Sequence, residues 1–248
     1  MSAARYALRS IHRTPTMNFI IPAAPVPSLA IHGSDARFPL HRIYCIGQNY
    51  ALHAKEMGSA VDRETPVFFC KPADAIVNVA PGTIGAFPYP SETKNCHYEM
   101  ELVVAIGKGG RDIAPEQALD HVYGYALGLD MTRRDLQTRM KESGKPWDIG
   151  KGFDHAAPIG PIHRAADVGH LGKGAIWLEL NGVPKQKGDL SDLIWSVADT
   201  VAYLSKFFAL VPGDLIYTGT PEGVGAVVKG DRMRGGIDGL GEFTVDVV

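Results

Sequence analysis

The stretch HYEMELVVAIGKGGRD, residues 97–112, places the strongest constraint on what this chain can fold into. Its apolar run from Leu102 to Ile106 predicts a buried strand that ends at a glycine-rich turn. Glu99 and Glu101 precede the run two positions apart, so a strand holds both on one face with backbones roughly 7 Å apart. Because buried like charges repel and are costly to desolvate, the fold has to supply positive charge at this point or leave it in solvent.

The composition narrows the class of protein. The 248 residues suit one large domain, or one domain with a small appendage, and 45% hydrophobic with 21% charged residues is typical of a globular chain. A net charge of −2 gives no reason to expect nucleic acid or an anionic membrane as partner, and no apolar run is long enough for a membrane span. Cys45, Cys70 and Cys96 lack pairwise spacing and lie in or beside apolar runs, which favours buried free thiols and a cytoplasmic location.

The N-terminal segment differs from the rest. Residues 1–16 carry three arginines at helical spacing, and no acidic residue occurs before Asp35. This composition fits an organellar transit peptide, a disordered tail, or an upstream start with Met17 as the true first residue. We expect a disordered extension over 1–16, a small irregular N-terminal lead-in over 17–40 and a catalytic domain over 41–248.

The pattern of apolar residues and turns predicts the secondary structure of the body. The predicted strands lie at 41–47, 66–71, 97–106, 123–132, 175–181, 214–219 and 241–248, and the predicted helices at 49–57, 115–122, 133–144 and near 196–209. Strands and helices do not alternate regularly, which disfavours a doubly wound parallel sheet. We therefore predict an α+β, mostly β body. The glycine-rich pieces GKGG and TGTPEGVG match no nucleotide-binding pattern.

A divalent cation would relieve the repulsion between Glu99 and Glu101. Their hard oxygens, without a Cys–His pair of zinc spacing, favour Mg²⁺, with Mn²⁺ or Ca²⁺ as alternatives. Asp130 is the candidate third acid, because it ends an apolar strand, and His97 shares the face of the glutamates as a ligand or an outer neighbour. The competing interpretations are a solvent-facing edge strand for the two glutamates and a helix N-cap for Asp130.

Two further segments carry candidate catalytic groups. In NYALHAKEM, His53 and Glu56 are three apart and so share one helical face, where a carboxylate raises the basicity of an imidazole and suits it to activate water. The alternative is an ordinary surface His–Glu contact. In WDIGKGFD, Lys151 stands between two glycines and either projects into a site or belongs to a solvated loop.

The order of these pieces resembles the fumarylacetoacetate hydrolase superfamily from about residue 41 to 246. The resemblance rests on GQNYALHAKEMG, FFCKPADAIV, HYEMELVVAIGKGGRDI, GYALGLDMTRRDLQ, PWDIGKGFD, LNGVPKQKG and GDLIYTGTPEGVG. Within the superfamily the chain is most similar to the acylpyruvate hydrolases. The resemblance implies a mixed β-sandwich roll of the family's C-terminal-domain type with short flanking helices, and a homodimer.

The resemblance also implies individual roles, which are metal ligation by Glu99, Glu101 and Asp130, water activation by His53 and Glu56, assistance at the substrate carbonyl by Lys151, and substrate contacts by Arg134, Gln137 and Thr220. No metal role for His97 carries over. The sequence departs from the family at Gln48, where arginine is common. A glutamine there removes a bidentate partner for a carboxylate, which leaves the acyl group of the substrate open.

The implied activity is metal-dependent hydrolysis of the C–C bond of a 2,4-dioxo acid, first of all 3-fumarylpyruvate to fumarate and pyruvate in aromatic catabolism by the gentisate route. Oxaloacetate decarboxylation and isomerisation of the 2-hydroxyhepta-2,4-diene-1,7-dioate type use similar metal and enolate chemistry. In those reactions no water has to attack, so the His–Glu pair favours hydrolysis. The alternative outside enzymes is a module that binds a metal and a 2-oxo acid.

Overall fold

The computed structural model describes residues 18–58 and 62–248, so the expected extension over 1–16 lies outside the described residues. Within them the chain forms eighteen strands, β1 (Ser28–Ile31), β2 (Ser34–Pro39), β3 (Ile43–Gly47), β4 (Val67–Lys71), β5 (Ile76–Asn78), β6 (Ile84–Phe87), β7 (Cys96–Tyr98), β8 (Met100–Ile106), β9 (Val122–Leu129), β10 (Thr132–Arg133), β11 (Ala157–Ile159), β12 (His163–Arg164), β13 (Ala175–Leu180), β14 (Val183–Asp189), β15 (Leu215–Tyr217), β16 (Gly225–Val227), β17 (Arg232–Ile237) and β18 (Gly241–Val247). The α-helices of the same ranges are α1 (Ala51–Glu56), α2 (Arg134–Glu142), α3 (Asp148–Lys151), α4 (Ala165–Val168) and α5 (Val197–Phe207), and short 3₁₀ helices span Ala73–Ala75, Pro115–His121 and Leu190–Asp192.

The strands form two large sheets and two small ones. The larger sheet has the order β4-β3-β15-β8-β9-β11-β5 with β12 paired to β9, and the second has the order β14-β13-β17-β18-β6. A three-stranded sheet, β10-β7-β16, and the hairpin β1-β2 complete the set. Most pairs are antiparallel, but β3 with β15, β5 with β11 and β6 with β18 are parallel. The predicted α+β, mostly β class with short flanking helices is therefore confirmed.

Strand β8 is the centre of the core and explains the apolar run of the sequence. Leu102 and Val104 belong to the larger core cluster, which they share with side chains of the second sheet. Val103 and Ala105 point the other way, into a smaller cluster shared with the hairpin β1-β2. Since both faces of β8 are covered, its residues are apolar without alternation. This position also excludes the interpretation of the two glutamates as part of a solvent-facing edge strand.

The segment before residue 41 is more regular than its sequence indicates. Rather than an irregular lead-in, residues 28–39 form the hairpin β1-β2, whose Leu29 and Phe38 are buried in the smaller core cluster. The His32 N–H donates to the Ile162 carbonyl at 2.8 Å and ties the hairpin to the body. Its proline-rich surroundings hide the strand pattern, because the hairpin gains its stability from packing rather than from local propensity.

Other differences concern the ends and burial of elements. The predicted helix at 115–122 is a 3₁₀ helix, and the predicted strands at 97–106 and 123–132 are each interrupted near the candidate metal ligands. Cys45 and Cys96 are buried as expected, but the prediction for Cys70 is wrong, since it is exposed on the edge strand β4. Among the described helices none has the length and apolarity that a membrane crossing requires.

Candidate active site and metal centre

Two interruptions of neighbouring strands form the base of the site. Glu99 separates β7 from β8, and Asp130 follows the last residue of β9 before β10 begins. Met100 pairs with Leu129 on one side of these interruptions, and β7 pairs with β10 on the other. The register therefore sets Glu99 opposite Asp130, and the Asp130 N–H donates to the Glu99 carbonyl at 2.9 Å. The helix N-cap interpretation of Asp130 is excluded, because the N-cap position of α2 is Arg133.

The third acid is Glu101, the second residue of β8. One carboxylate oxygen from each of Glu99, Glu101 and Asp130 lies within 4.8 Å of the others, and the three residues are 4%, 1% and 1% exposed. Glu101 Oε2 accepts the N–H of Gly219 at 2.8 Å. Gly219 has a φ of +100°, and a Cβ at this position would lie 2.7 Å from Asn49 Cβ. Only glycine allows the backbone to approach Glu101 in this way.

The chain supplies its own counter-charges to this acidic cluster. Lys151 Nζ donates to Glu99 Oε2 at 2.8 Å and to Asp130 Oδ2 at 2.6 Å. Lys71 Nζ lies 2.7 Å from Asp130 Oδ1, and Arg134 donates to the second oxygen of Glu99. Burial disfavours the charged form of Glu99, but Lys151 and Arg134 outweigh burial and hold its pKa well below the ordinary value. A metal is therefore not the only relief of the repulsion that the sequence reveals.

Glu101 is the acid that these cations do not neutralise. Burial, together with the charges of Asp130 and Glu99, raises the pKa of Glu101 well above its ordinary value. Asp130 Oδ1 is ion-paired with Lys71 and accepts no hydrogen bond from the described residues. Glu99, Glu101 and Asp130 are hard oxygen donors, which a divalent cation such as Mg²⁺ prefers. Glu101 lacks a neutralising cation, and Asp130 Oδ1 can still accept one. The residues present thus fit Mg²⁺ or Mn²⁺.

Lys71 is a site residue that the sequence motifs did not reveal. Its side chain is fully buried, and besides the ion pair with Asp130 its ammonium donates to the carbonyls of Met131 and Lys151. In FFCKPADA it reads as a lysine at the end of a strand before a proline turn, a position that is usually solvated. The available signal was its place as the last residue of the largely apolar strand β4.

The predicted pairing of His53 with Glu56 occurs on α1. His53 Nδ1 lies 3.0 Å from Glu56 Oε2, and the other oxygen of Glu56 accepts the Gly223 N–H at 3.1 Å. His53 is 4% exposed. With Nδ1–H donated to the carboxylate, Nε2 becomes the basic nitrogen of the ring.

A cavity of about 350 Å³ lies above the acidic cluster. Seven of the nine predicted site residues line it, namely His53, Glu99, Glu101, Arg134, Gln137, Lys151 and Thr220. The other two, Asp130 and Glu56, contact Lys151 and His53 from behind. The remaining lining residues are Ile46, Gly47, Gln48, Met57, Phe69, Thr138, Lys141, Glu142 and Trp147.

The polar walls of the cavity are held by hydrogen bonds. Arg134 Nη1 donates to Gln137 Oε1 at 2.5 Å, one turn along α2. Thr220 Oγ1 donates to the Met100 carbonyl and accepts from Gln186 Nε2, each at 2.8 Å. The Thr220 hydroxyl is thereby fixed at the wall of the cavity. Gln186 is a buried residue of β14 that the sequence reasoning did not single out.

His97 lies outside the group of three carboxylates. Arg134 Nε donates to His97 Nδ1 at 3.4 Å, and Nε2 of the ring is 2.9 Å from Asn95 Oδ1. Burial, with the Arg134 charge, lowers the pKa of His97 to about 4. Because both ring nitrogens contact other side chains, His97 occupies an outer position rather than that of a ligand.

Three buried carboxylates that suit a divalent cation, a His–Glu pair and a cavity above them define a metal-binding enzyme on a mostly β fold. Residues 42–248 match the family described as fumarylacetoacetate (FAA) hydrolase C-terminal, and the chain belongs to this family. The resemblance seen in the sequence motifs is therefore confirmed.

Individual relatives cover most of the chain. A fumarylpyruvate hydrolase of Ralstonia is 46% identical over 193 residues, which are 77% of this chain and 98% of the relative. An oxaloacetate tautomerase of Escherichia coli is 39% identical over 208 residues, 84% of this chain and 93% of the relative. The crystal structure of fumarylpyruvate hydrolase from Pseudomonas aeruginosa in complex with Mn²⁺ and pyruvate superposes with a TM-score of 0.92 at 61% identity, covering 93% of this chain and 99% of that one. The chain is thus an enzyme of a family that contains both hydrolases and tautomerases.

Proposed function

We propose that this protein is a divalent-metal-dependent acylpyruvate hydrolase that converts 3-fumarylpyruvate and water to fumarate and pyruvate. The observation that carries the proposal is the His53–Glu56 pair, 3.0 Å apart beside the cavity. Hydrolysis needs a base that activates water, whereas tautomerisation and decarboxylation of a 2-oxo acid proceed without water attack. The similarity to two fumarylpyruvate hydrolases, one of them crystallised with pyruvate, supports this choice of substrate.

The proposed metal ligands are Glu99, Glu101 and Asp130, with Mg²⁺ as the expected ion and Mn²⁺ or Ca²⁺ as alternatives. A divalent cation held there would offer positive charge to the oxygens of the 2-oxo acid and would stabilise the negative charge that develops during cleavage. Lys151, within 2.8 Å of Glu99 and 2.6 Å of Asp130, places a further positive charge beside the same substrate oxygens.

The chemical step is assigned to the residues of α1. His53 Nε2 takes a proton from water, and Glu56 keeps the ring in the required tautomer and stabilises the imidazolium that forms. The hydroxide adds to the C4 carbonyl, the C3–C4 bond breaks, and its electron pair passes into the enolate of pyruvate. Protonation at C3 then gives pyruvate, and the acyl fragment leaves as fumarate. Atoms balance, because water contributes its hydroxyl to C4 and its proton to C3.

Substrate orientation is assigned to Arg134, Gln137 and Thr220. All three line the cavity, and the hydrogen bond between the first two fixes the wall that α2 presents. A substrate held by several fixed polar groups loses little further entropy in reaching the transition state.

Tautomerisation or decarboxylation of oxaloacetate is the second candidate, because an oxaloacetate tautomerase is 39% identical over 84% of the chain. A further alternative activity is isomerisation of a 2-hydroxyhepta-2,4-diene-1,7-dioate. The alternative outside enzymes is a module without catalytic activity that binds a metal and a 2-oxo acid. One assay panel with fumarylpyruvate, acetylpyruvate, maleylpyruvate and oxaloacetate in the presence of Mn²⁺ or Mg²⁺ separates them. Our proposal expects the highest kcat/KM for fumarylpyruvate. A highest kcat/KM for oxaloacetate, or no turnover at all, contradicts it.

We also propose a cytoplasmic homodimer. Phe207 and Phe208 at the end of α5 are 59% and 38% exposed, and neighbouring exposed aromatic side chains support a contact with a second copy. Light scattering at micromolar concentration tests the assembly, and a mass of a single chain contradicts it.

A further inference from the structure

Helix α2 lines the cavity with a row of side chains, and this row runs outward from the acidic cluster. Arg134, Gln137 and Lys141 follow one another at spacings of three and four and all line the cavity. Lys141 is seven residues beyond Arg134, which places its Cα about 10 Å farther along the helix axis. Side chains of a helix lean toward its N-terminus, so the ammonium of Lys141 extends back over the cavity.

Lys141 also marks the outer end of the cavity. Its Nζ donates to the Met57 carbonyl at 3.5 Å, directly after α1, so α1 and α2 approach each other at this lysine. Met57 and Trp147 line the cavity as well. A ligand between the two helices would therefore reach from the acidic cluster at the inner end to Lys141 at the outer end, with Met57 and Trp147 beside it.

The basic residues at the inner end contact acidic or amide groups of the site, and Lys141 at the outer end has contacts within the chain as well. Arg134 contacts Glu99 and Gln137, and Lys151 contacts Glu99 and Asp130. The opposite wall carries Gln48, a neutral residue, with a left-handed backbone at a φ of 60°. At the outer end the lining carries the positive charge of Lys141 and the negative charge of its neighbour Glu142.

A dicarboxylic acylpyruvate has a carboxylate at each end of its carbon chain. Six C–C bonds of about 1.5 Å give fumarylpyruvate a length of roughly 7–8 Å between its terminal carbons. With the pyruvyl end at the acidic cluster, the distal carboxylate reaches the part of the cavity over which Lys141 leans.

We propose that Lys141 binds the distal carboxylate of the substrate and sets a preference for dicarboxylic over monocarboxylic acylpyruvates. The inference rests on the proposed function, since it assumes an acylpyruvate with its pyruvyl end inward. It assigns to Lys141 the charge that Gln48 does not provide. Lys141 is exposed, and a charge-assisted hydrogen bond to its ammonium is stronger than a neutral one, so it favours a substrate with a distal carboxylate.

Steady-state kinetics with fumarylpyruvate and acetylpyruvate test the assignment. In Lys141→Met the ratio of the two kcat/KM values should fall about tenfold or more, chiefly through a higher KM for fumarylpyruvate. Lys141→Arg should keep most of the ratio, because it keeps the charge. Lys145→Met, an exposed lysine just beyond α2 that does not line the cavity, serves as the matched control and should leave the ratio unchanged. An unchanged ratio in Lys141→Met, or an equal loss for both substrates, overturns the assignment.

Binding measured without turnover separates this inference from the proposed function. Calorimetry with Mn²⁺ present compares fumarylpyruvate and acetylpyruvate in His53→Ala and in the double variant His53→Ala/Lys141→Met. Tighter binding of fumarylpyruvate in the first protein, lost in the second, supports the role of Lys141 even if wild-type protein hydrolyses neither acid. Equal affinity for both acids in His53→Ala, or no binding of either, overturns it.

Discussion

Glu99 and Asp130 lie directly opposite each other at coincident interruptions of two antiparallel strands, and the Asp130 N–H donates to the Glu99 carbonyl at 2.9 Å. The ladder resumes in the same register beyond them, so the interruption costs the sheet little while it frees both side chains from the regular pleat. The candidate metal ligands therefore stand on the rigid centre of the larger sheet rather than on a loop. Ligands held in this way need little reorganisation when an ion binds.

Replacing Glu101 by Gln should separate metal binding from folding. Burial, with the charges of Asp130 and Glu99, disfavours the ionised form of Glu101 and raises its pKa. A neutral amide avoids that cost, so the thermal midpoint of the metal-free protein should not fall. Affinity for Mn²⁺ should fall by at least tenfold, because an anionic oxygen ligand is lost. Calorimetry and a thermal unfolding curve measure the two effects. Glu64→Gln, at an exposed position, is the control, and an unchanged Mn²⁺ affinity in Glu101→Gln would argue against the assigned ligand.

Replacing His53 by Ala should lower kcat for acylpyruvate hydrolysis by about 10²–10⁴-fold, the usual contribution of a general base. Mn²⁺ affinity should change little, since the imidazole is not among the three carboxylate ligands. Glu56→Gln should lower kcat less, because it alters only the orientation and basicity of the ring. Turnover of His53→Ala close to the wild-type rate would contradict the role of the imidazole.

Replacing Lys71 by Met should destabilise the protein by about 3–5 kcal/mol, the usual cost of removing one partner from a buried ion pair. The Asp130 carboxylate would stay buried with one cation fewer, and the carbonyls of Met131 and Lys151 would lose a donor. Urea unfolding of the metal-free protein measures the effect. Lys229→Met, at an exposed lysine, should lie within about 0.5 kcal/mol of wild type. A loss as small in Lys71→Met would show that the lysine is not a structural counter-charge.

Removing divalent metal should abolish turnover. Dialysis against a chelator is expected to eliminate hydrolysis, and Mn²⁺ or Mg²⁺ should restore it, since cleavage leaves a negative charge beside the acidic cluster. Full activity after complete chelation would count against the metal scheme.

The stacked pair His32 and His163 predicts a pH dependence of stability. The rings are 4.3 Å apart and 15° from parallel, and burial together with the His32 charge lowers the pKa of His163 below its ordinary value of 6.5. The unfolded chain then binds more protons than the folded one below that pH, so this pair makes the free energy of unfolding decrease as pH falls through 6.5. Urea unfolding at pH 7.5 and pH 5.5 should show a smaller decrease in His163→Phe than in wild type. Equal decreases in both proteins would mean that the pair does not contribute.

Local spacing in the sequence was sufficient for several parts of the site. The spacing of two predicts Glu99 and Glu101 on one face, and both carboxylates do reach the acidic cluster, although Glu99 lies at the interruption between β7 and β8. A helical spacing of three sets His53 beside Glu56. The apolar run of β8 likewise predicts a central buried strand. These features depend on geometry within one element, and such geometry repeats wherever the element forms.

Contacts between distant segments were decided only by the tertiary structure. From the sequence, a metal ion was the predicted source of the charge that offsets the repulsion between the glutamates. In the fold, Lys151, Arg134 and the unpredicted Lys71 also form ion pairs with the acidic cluster. The fold also turns an irregular-looking lead-in into the hairpin β1-β2 and exposes Cys70. The physical reason is that strand order and register between remote segments fix which charges meet and which surfaces are covered, and no spacing within a single element contains that information.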